Sequence, residues 1–130
     1  MKKMALKITF IIVVVMTMLD VRAQSYNQVN DISYTAKNGN YAQERLKLDI
    51  YYPTEQRNCP VIIWFHGGGL EVGNKEIPAE LKEKGLVVVG VNYRLLPKVT
   101  INETLDDAAE AVAWVFHNIA KYNGDSGKIV

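Results

Sequence analysis

A histidine followed by three glycines, at positions 66–69, is the stretch of this 130-residue chain best suited to chemistry. Because glycine lacks a Cβ, its backbone can turn sharply and bring bare N–H groups close to a bound atom. Fixed N–H donors stabilise the negative oxygen that forms when a nucleophile attacks a carbonyl carbon. The stretch therefore predicts a loop that binds an oxyanion, and simple turn glycines are the alternative.

Two nucleotide-binding motifs also use closely spaced glycines, and the sequence fits neither. A dinucleotide fingerprint needs glycine or alanine at the last place of Gly-x-Gly-x-x-Gly, where this chain has Val72. A phosphate-binding P-loop needs lysine after its last glycine, and Asn74 follows Gly73. His117 has no partner at metal-ligand spacing. Neither a nucleotide nor a metal site is expected.

Two short apolar runs predict the strands that position the glycines. Residues 61–65 and 86–91 are rich in β-branched and aromatic side chains, which is typical of strands buried on both faces of a parallel sheet. Pro78 and Gly85 bracket a predicted helix between them. A strand, a helix and a strand in this order form a parallel crossover. The predicted fold class is therefore α/β.

The chain before these strands predicts an antiparallel hairpin. Residues 31–36 and 46–52 alternate between apolar and polar side chains, and an Asn-Gly turn signal lies at positions 38–39 between them. Residues 24–30 are polar and are predicted to be loose. With the crossover, the hairpin gives a sheet that is mostly parallel.

A long amphipathic helix is predicted to follow Thr100, which forms the spacing of a capping box with Glu103. At 100° per residue, one apolar face would cover the sheet. Its members are Ile101, Leu105, Ala108, Ala109, Val112, Val115, Phe116 and Ile119. The opposite face is expected to meet solvent, except that another element should cover its tryptophan; it carries Glu103, Asp106, Asp107, Glu110, Trp114, His117 and Lys121.

Arg94 follows the second buried strand and precedes this helix. Two carboxylates, Asp106 and Asp107, lie near the start of the helix. We predict a structural ion pair between Arg94 and one of these two carboxylates.

Four stretches, taken in order, resemble the α/β-hydrolase superfamily in its esterase and lipase branch. That branch has a His-Gly-Gly-Gly motif after its third strand, as at positions 66–69. Residues 91–97 resemble its Asn/Asp-Tyr-Arg-Leu-x-Pro motif, and residues 106–115 resemble its Asp-Ala…Ala-x-x-Trp helix. Residues 122–130 are similar to the lead-in to its nucleophile strand. The likeness is closest to hormone-sensitive-lipase-like proteins and to feruloyl and acetyl-xylan esterases.

The resemblance implies roles for the glycine stretch and its neighbour. The backbone N–H groups of Gly68 and Gly69 would be the oxyanion donors. His66 and Gly67 would support this loop, and His66 would not be the catalytic base. Leu70 would border the acyl pocket.

The resemblance also implies what the chain lacks. In this family the strand leads into Gly-x-Ser-x-Gly, and the acid and histidine of the triad follow much later. Ser126 does not fit, because Lys128 stands where the second glycine belongs and the serine is predicted to precede the strand. The triad is therefore not present, and residues 24–130 are interpreted as the N-terminal portion of a hydrolase domain that stops before the nucleophile.

Residues 1–23 are predicted to be a secretory signal peptide. Three lysines precede a twelve-residue, mostly apolar run at positions 8–19, and small or apolar residues precede Gln24. The run is too short to span a bilayer, which needs ~20 residues, so no membrane insertion is expected after cleavage. Without the four basic residues and one acidic residue of the leader, the net charge changes from +1 to −2. This balance excludes an electrostatic footprint for nucleic acid.

Together these patterns favour a secreted or periplasmic serine carboxylesterase that acts on short-chain esters or acylated polysaccharide. No cofactor is implied, and this chain would carry only the oxyanion half of the site. A prolyl-oligopeptidase-like peptidase is one alternative, although its corresponding loop usually has fewer glycines. An inactive remnant or binding module is another. In the usual strand order, residues 61–65 would form an open edge, and the isolated chain would be prone to aggregate.

Overall fold

A computed structural model describes residues 23–130, in which five strands form one sheet and a long helix packs against it. The predicted signal peptide lies outside the described residues, apart from Ala23. The strands are β1 (Tyr26–Ser33), β2 (Lys47–Pro53), β3 (Cys59–Phe65), β4 (Val87–Val91) and β5 (Gly124–Ile129). The helices are α1 (Asn40–Arg45) and α2 (Ile101–Asn118), with 3-10 turns at Ala79–Leu81 and Ile119–Tyr122. Within residues 23–130, no helix is both long and apolar enough to cross a membrane.

The sheet has the strand order β1-β2-β4-β3-β5. Strand β3 runs parallel to β4 and β5, while β2 runs antiparallel to β1 and β4. Strand β4 is buried at all five of its positions, because it has a strand on each side and packed side chains on both faces. Burying one valine contributes about 1.5–3 kcal/mol. The unbroken apolar runs therefore predicted both strands correctly, and the α/β class is confirmed. The predicted burial of β3 on both faces is wrong, because Trp64 is exposed in the part of the chain that the structure describes.

The antiparallel pairing of β1 with β2 is as predicted, but the boundaries and the turn are not. Strand β1 begins at Tyr26, within residues predicted to be loose, and its register shifts between Val29 and Ile32. As an edge strand, β1 exposes many side chains, so polar residues are tolerated and the alternation is hidden. Gly39 is the residue before α1 instead of half of a tight hairpin turn.

The helix predicted between Pro78 and Gly85 is wrong. Only Ala79–Leu81 form a 3-10 turn, and Lys82 is already extended. The segment has few apolar side chains and no apolar stripe that a helix could bury against the sheet. The proline and glycine at its ends therefore do not mark the ends of a helix. Gly85 instead donates its N–H to the Tyr26 hydroxyl at 2.8 Å, which ties this connection to β1.

Helix α2 begins with the predicted capping box, in which Thr100 Oγ1 accepts from the Glu103 N–H and the Glu103 carboxylate accepts from the Thr100 N–H. The face that meets the sheet differs from the predicted one, of which only Val115 and Ile119 are fully buried. The buried helix residues are Thr104, Asp107, Ala111 and Val115. The large apolar residues Ile101, Leu105, Val112 and Phe116 are exposed instead. The helix is thus rotated by about 90° from the predicted orientation, at 3.6 residues per turn.

One residue assigned to the solvent face of α2 is therefore corrected, and the cover expected for another is found. Asp107 is fully buried, because basic partners from other segments surround its carboxylate. Trp114 is partly buried and packs against the hydrophobic core, which gives it the cover that the sequence left unidentified.

Strand β5 corrects the prediction that residues 61–65 form an open edge. Strand β5 pairs with β3, and the Val130 N–H donates to Val61 O at 2.9 Å while the Ile63 N–H donates to Val130 O at 2.9 Å. The outer strand on this side is therefore β5. Ser126 lies inside β5, where it had been predicted to precede a strand. Ser126 therefore does not occupy a turn after a strand, which is the position that the nucleophile requires.

Candidate oxyanion site

The glycine stretch leaves the carboxyl end of β3 and forms a loop, residues 66–74, that we call the oxyanion loop. Strand β4 runs parallel beside β3, so the residues after both strands meet at the same edge of the sheet. Asn92 and Tyr93 follow β4 and are both buried there. The loop is therefore held against the centre of the sheet.

His66 is buried at the start of the oxyanion loop, with 5% of its surface exposed. Its ring stacks on Tyr93 with centroids 4.5 Å apart and planes 7° from parallel. The Tyr93 hydroxyl donates to His66 O at 2.7 Å. Both the ring and the backbone of the histidine are thus fixed by one residue.

The hydrogen bond within the loop determines which ring nitrogen of His66 carries a proton. Nδ1 lies 2.8 Å from Gly67 O. A carbonyl oxygen can only accept, so Nδ1 must be the donor. The other ring nitrogen faces Arg45 at 3.5 Å. Neither nitrogen is available to take a proton from a nucleophile, so His66 supports the loop in this geometry.

The same hydrogen bonds orient the two N–H groups predicted to bind an oxyanion. In a trans peptide the C=O and the following N–H point in opposite directions. Because Gly67 O faces the histidine ring, the Gly68 N–H points away from it. Gly68 O accepts from the Glu71 and Val72 N–H groups at 3.1 and 3.2 Å. The Gly69 N–H, which belongs to the same peptide, therefore points away from these two donors. Neither N–H has an acceptor among residues 23–130.

Gly68 cannot be replaced by a larger residue without moving the loop. Its φ is +121°, and a Cβ there would collide with the Val72 carbonyl. Gly67, in contrast, has open space around the position of a Cβ. The need for glycine is therefore strictest at the first predicted donor.

An apolar cavity of about 190 Å³ lies between the base of the oxyanion loop and α2. Leu70, predicted to border the acyl pocket, is one of its walls, and its carbonyl accepts from the Leu96 N–H at 2.9 Å. The other lining residues are Phe65, His66, Tyr93, Thr104, Leu105 and Ala108. A group that reached this cavity would meet mainly hydrocarbon.

The predicted ion pair of Arg94 forms with Asp107, and Asp106 is exposed. Arg94 donates from Nε and Nη2 to the two Asp107 oxygens, each at 2.8 Å, and its backbone N–H donates at 3.2 Å. Lys37 Nζ adds a fourth contact at 2.9 Å. Burial acts to raise the pKa of Asp107, but the hydrogen bonds from Arg94 and Lys37 outweigh it and hold that pKa below its usual range. The hydrogen bonds that Arg94 donates to Asp107 raise the pKa of Arg94 in turn.

Two buried residues at the oxyanion loop, Tyr93 and Arg45, were not predicted from the sequence. Tyr93 had a signal, since it lies between a buried strand and Arg94 in a recognised motif. Arg45 had none, because it precedes the alternating β2 and looked like a polar residue near a turn. Within the described part of the chain, no group of three or more His, Cys, Asp or Glu side chains could hold a metal ion.

Comparisons with known proteins agree on one group of enzymes. A probable isoprenylcysteine alpha-carbonyl methylesterase from Oryza sativa subsp. japonica is 37% identical over 92 residues, which cover 67% of this chain and 22% of that protein. A truncated carbohydrate esterase from gut microbiota has a TM-score of 0.66 at 27% identity, over 82% of this chain and 38% of that structure. An inhibited esterase B from Lactobacillus rhamnosis has a TM-score of 0.67 over 95% of this chain and 41% of its own. At 24% identity, this last likeness shows the fold alone.

The chain thus spans about a fifth of the curated relative and about two fifths of the solved structures. The family model described as BD-FAE matches residues 48–130, which include β2 to β5, the oxyanion loop and α2. Because this match covers more than half of the sequence, the chain belongs to the BD-FAE family of esterase-type α/β-hydrolases.

Proposed function

We propose that the gene product containing this chain hydrolyses carboxylic esters, with the Gly68 and Gly69 N–H groups binding the oxyanion. The observation that carries the proposal is a pair of N–H groups that have no acceptor within the described residues. Each is oriented by a hydrogen bond to the carbonyl of its own peptide. Donors fixed in this way need no reorganisation when charge develops on the carbonyl oxygen. The family of ester hydrolases supports the same chemistry.

Among residues 23–130, no histidine is placed to act as the base of this reaction. Of the two histidines in the sequence, His66 has both ring nitrogens engaged, and His117 is exposed on α2. A serine nucleophile, its base and its acid would therefore come from residues beyond those described. The oxyanion loop would receive the tetrahedral intermediate that the serine forms.

The substrate class we propose is a small ester, either a short-chain ester or an acylated carbohydrate. The likeness to a carbohydrate esterase and to a carbonyl methylesterase supports this range. The apolar cavity beside Leu70 would accept a short acyl chain. The leader of lysines and apolar residues supports export, which would place polymeric carbohydrate esters within reach.

The test is hydrolysis by the product of the uninterrupted reading frame, compared with its Gly68→Ala variant. The panel contains a p-nitrophenyl acetate, an acetylated xylo-oligosaccharide and a prolyl peptide anilide, so that the peptidase alternative is also measured. Alanine keeps the Gly68 N–H, but its Cβ would collide with the Val72 carbonyl and displace that donor. Loss of one oxyanion donor lowers kcat by about 10²–10³-fold in comparable sites. We expect a loss of this order for Gly68→Ala, with a smaller change in KM.

Gly39→Ala is the matched control. Gly39 also has positive φ, at +111°, but it precedes α1 and has open space around a Cβ position. It therefore carries similar backbone strain without touching the oxyanion loop. Equal kcat values for the folded Gly68→Ala variant and the wild type would refute the assignment of this donor. Cleavage of the peptide anilide but of neither ester would favour the peptidase.

A further inference from the structure

We propose that Arg45 is the positioning residue of the oxyanion loop, acting through His66 on the Gly68 N–H. Its effect on the loop follows from the geometry alone. Its effect on catalysis rests on the proposed ester hydrolysis. No part of the sequence pattern marked Arg45 for this role, so the inference depends on its surroundings.

Arg45 ends α1 and is buried, with 8% of its surface exposed. Its Nε donates to Tyr93 O at 3.1 Å. Its Nη1 donates to Asn74 Oδ1 at 2.7 Å, and its Nη2 donates to Gly73 O at 3.1 Å. The same Nη2 lies 3.5 Å from His66 Nε2. One guanidinium therefore contacts the start of the oxyanion loop, its end, and the segment after β4.

The charge of Arg45 has no acidic partner. Among residues 23–130, no carboxylate oxygen lies within 4.0 Å of its guanidinium. Arg94, in contrast, is neutralised by Asp107. Charged side chains are rarely buried unless they are paired. A buried positive charge held only by neutral acceptors, beside a loop with two free N–H donors, favours a negative charge at that loop.

The guanidinium also favours one form of the His66 ring. At 3.5 Å the contact with Nε2 is long for a hydrogen bond, so its main effect is electrostatic. A proton on Nε2 would point at the arginine, so the guanidinium disfavours the Nε2–H tautomer. The remaining form carries its proton on Nδ1, and this proton is the one donated to Gly67 O. Arg45 thus maintains the hydrogen bond that aims the Gly68 N–H.

A lysine could not replace Arg45 fully. The guanidinium makes its contacts from three nitrogens in one plane, whereas an ammonium is a single point at the end of a flexible chain. A lysine would keep the charge but could not join both ends of the oxyanion loop. We therefore expect Arg45→Lys to lie between the wild type and Arg45→Met in every measurement below.

The experiment reads the His66 ring directly in the full gene product, by long-range ¹H–¹⁵N NMR of histidine-labelled protein. The His66 signals are distinguished from those of all other histidines by their NOEs to the Tyr93 ring, which stacks on His66. Wild-type His66 is expected in the Nδ1–H form, and Arg45→Met should give a mixture of the Nδ1–H and Nε2–H forms with a shifted Gly68 amide signal. Arg57→Met is the control, because Arg57 is exposed and precedes β3, whereas the oxyanion loop follows the opposite end of that strand. In the described structure its side chain donates a hydrogen bond to Asn123 and none to the loop.

Kinetics provide the second readout. A reacting group displaced by about 1 Å can lose up to about 10²-fold in rate. Arg45→Met should lower kcat by tenfold to a hundredfold with little change in KM, because the N–H donors act on the transition state. Arg57→Met should keep the wild-type kcat.

Three outcomes would overturn the proposal. The first is a wild-type His66 ring in the Nε2–H form, which needs no variant and so remains decisive if Arg45→Met does not fold. The second is an Arg45→Met variant whose ring and Gly68 signals match the wild type. The third is a loss of kcat equal to that of Arg57→Met. If no ester is hydrolysed by the wild type, the proposed function fails while the ring spectrum still decides the role of Arg45.

Discussion

Replacing Asp107 with asparagine tests whether the buried ion pair holds α2 to the sheet. Asp107 has no exposed surface, and it accepts two hydrogen bonds from the Arg94 side chain, one from the Arg94 backbone and one from Lys37. The asparagine keeps the shape of the side chain. It removes the negative charge and places an NH₂ group against at least one of the donors. Arg94 then loses its close partner and keeps only the 3.7 Å contact to Glu103, whose side chain is 46% exposed.

The magnitude follows from the burial. Removing one partner of a buried ion pair costs about 3–5 kcal/mol, because the other charge stays uncompensated. The Lys37 contact adds little, since the Lys37 side chain is 37% exposed and pairs also with Glu110. A loss of 3–5 kcal/mol is a large fraction of the stability of a domain, which is commonly about 5–15 kcal/mol. We therefore expect Asp107→Asn to lower the free energy of unfolding by at least 3 kcal/mol.

Urea unfolding of the full gene product at pH 7 measures this difference, with Asp106→Asn as the matched control. Asp106 is the neighbouring residue on the same helix and is exposed, so its substitution should stay within about 0.5 kcal/mol. A third variant, Asp107→Leu with Arg94→Met, replaces both charges by apolar groups. It should recover much of the loss, because no uncompensated charge remains.

The pH dependence of the free energy of unfolding independently tests whether the charged form of Asp107 is the stabilising one. The folded-state pKa of Asp107 is lowered, so its contribution is fully present above the unfolded pKa of about 3.9 and is lost as the pH falls through the folded value. The stability difference between the wild type and Asp107→Asn should therefore shrink below about pH 4. Equal effects of Asp106→Asn and Asp107→Asn, or a difference that persists unchanged in acid, would refute the reasoning.

Two further predictions concern the oxyanion loop and the leader. A Cβ on Gly73 would collide with the His66 ring, so Gly73→Ala should destabilise the full gene product by about 1–3 kcal/mol more than Gly39→Ala. Gly39 is the matched control, because its φ of +111° nearly equals the +114° of Gly73. Equal denaturation midpoints for the two variants would contradict this prediction. Protein recovered outside the cytoplasm should begin at Gln24 on amino-terminal sequencing, and retention of the initiating Met1 would contradict the predicted cleavage.

The features that the sequence predicted correctly depend on neighbours along the chain. Strands β3 and β4 are unbroken apolar runs, and such runs form strands within a sheet whatever their distant partners. The capping box of α2 joins Thr100 to Glu103, three residues apart, so its spacing is sufficient evidence. The glycines of the oxyanion loop directly follow the strand that positions them.

The failures depend on partners that are distant in the sequence. The segment between Pro78 and Gly85 has breaker residues at both ends, yet its conformation is set by contacts such as the one to Tyr26, 59 residues away. Strand β1 extends into polar residues because β2 pairs with them from Tyr26 to Ser33. Neither partner can be identified from local composition or from a hydrophobic period.

The orientation of α2 shows the physical limit most directly. A helical wheel assigns a carboxylate to solvent because burying an unpaired charge is expensive, and this rule holds only while no partner is present. Arg94 and Lys37, which lie 13 and 70 residues from Asp107, remove that penalty and let a charged residue face the sheet. Arg45 is the opposite example, because among the described residues this buried charge contacts only neutral acceptors. Where a buried charge has a partner, stability explains it; where it has none, a function at the neighbouring oxyanion loop is the explanation to test.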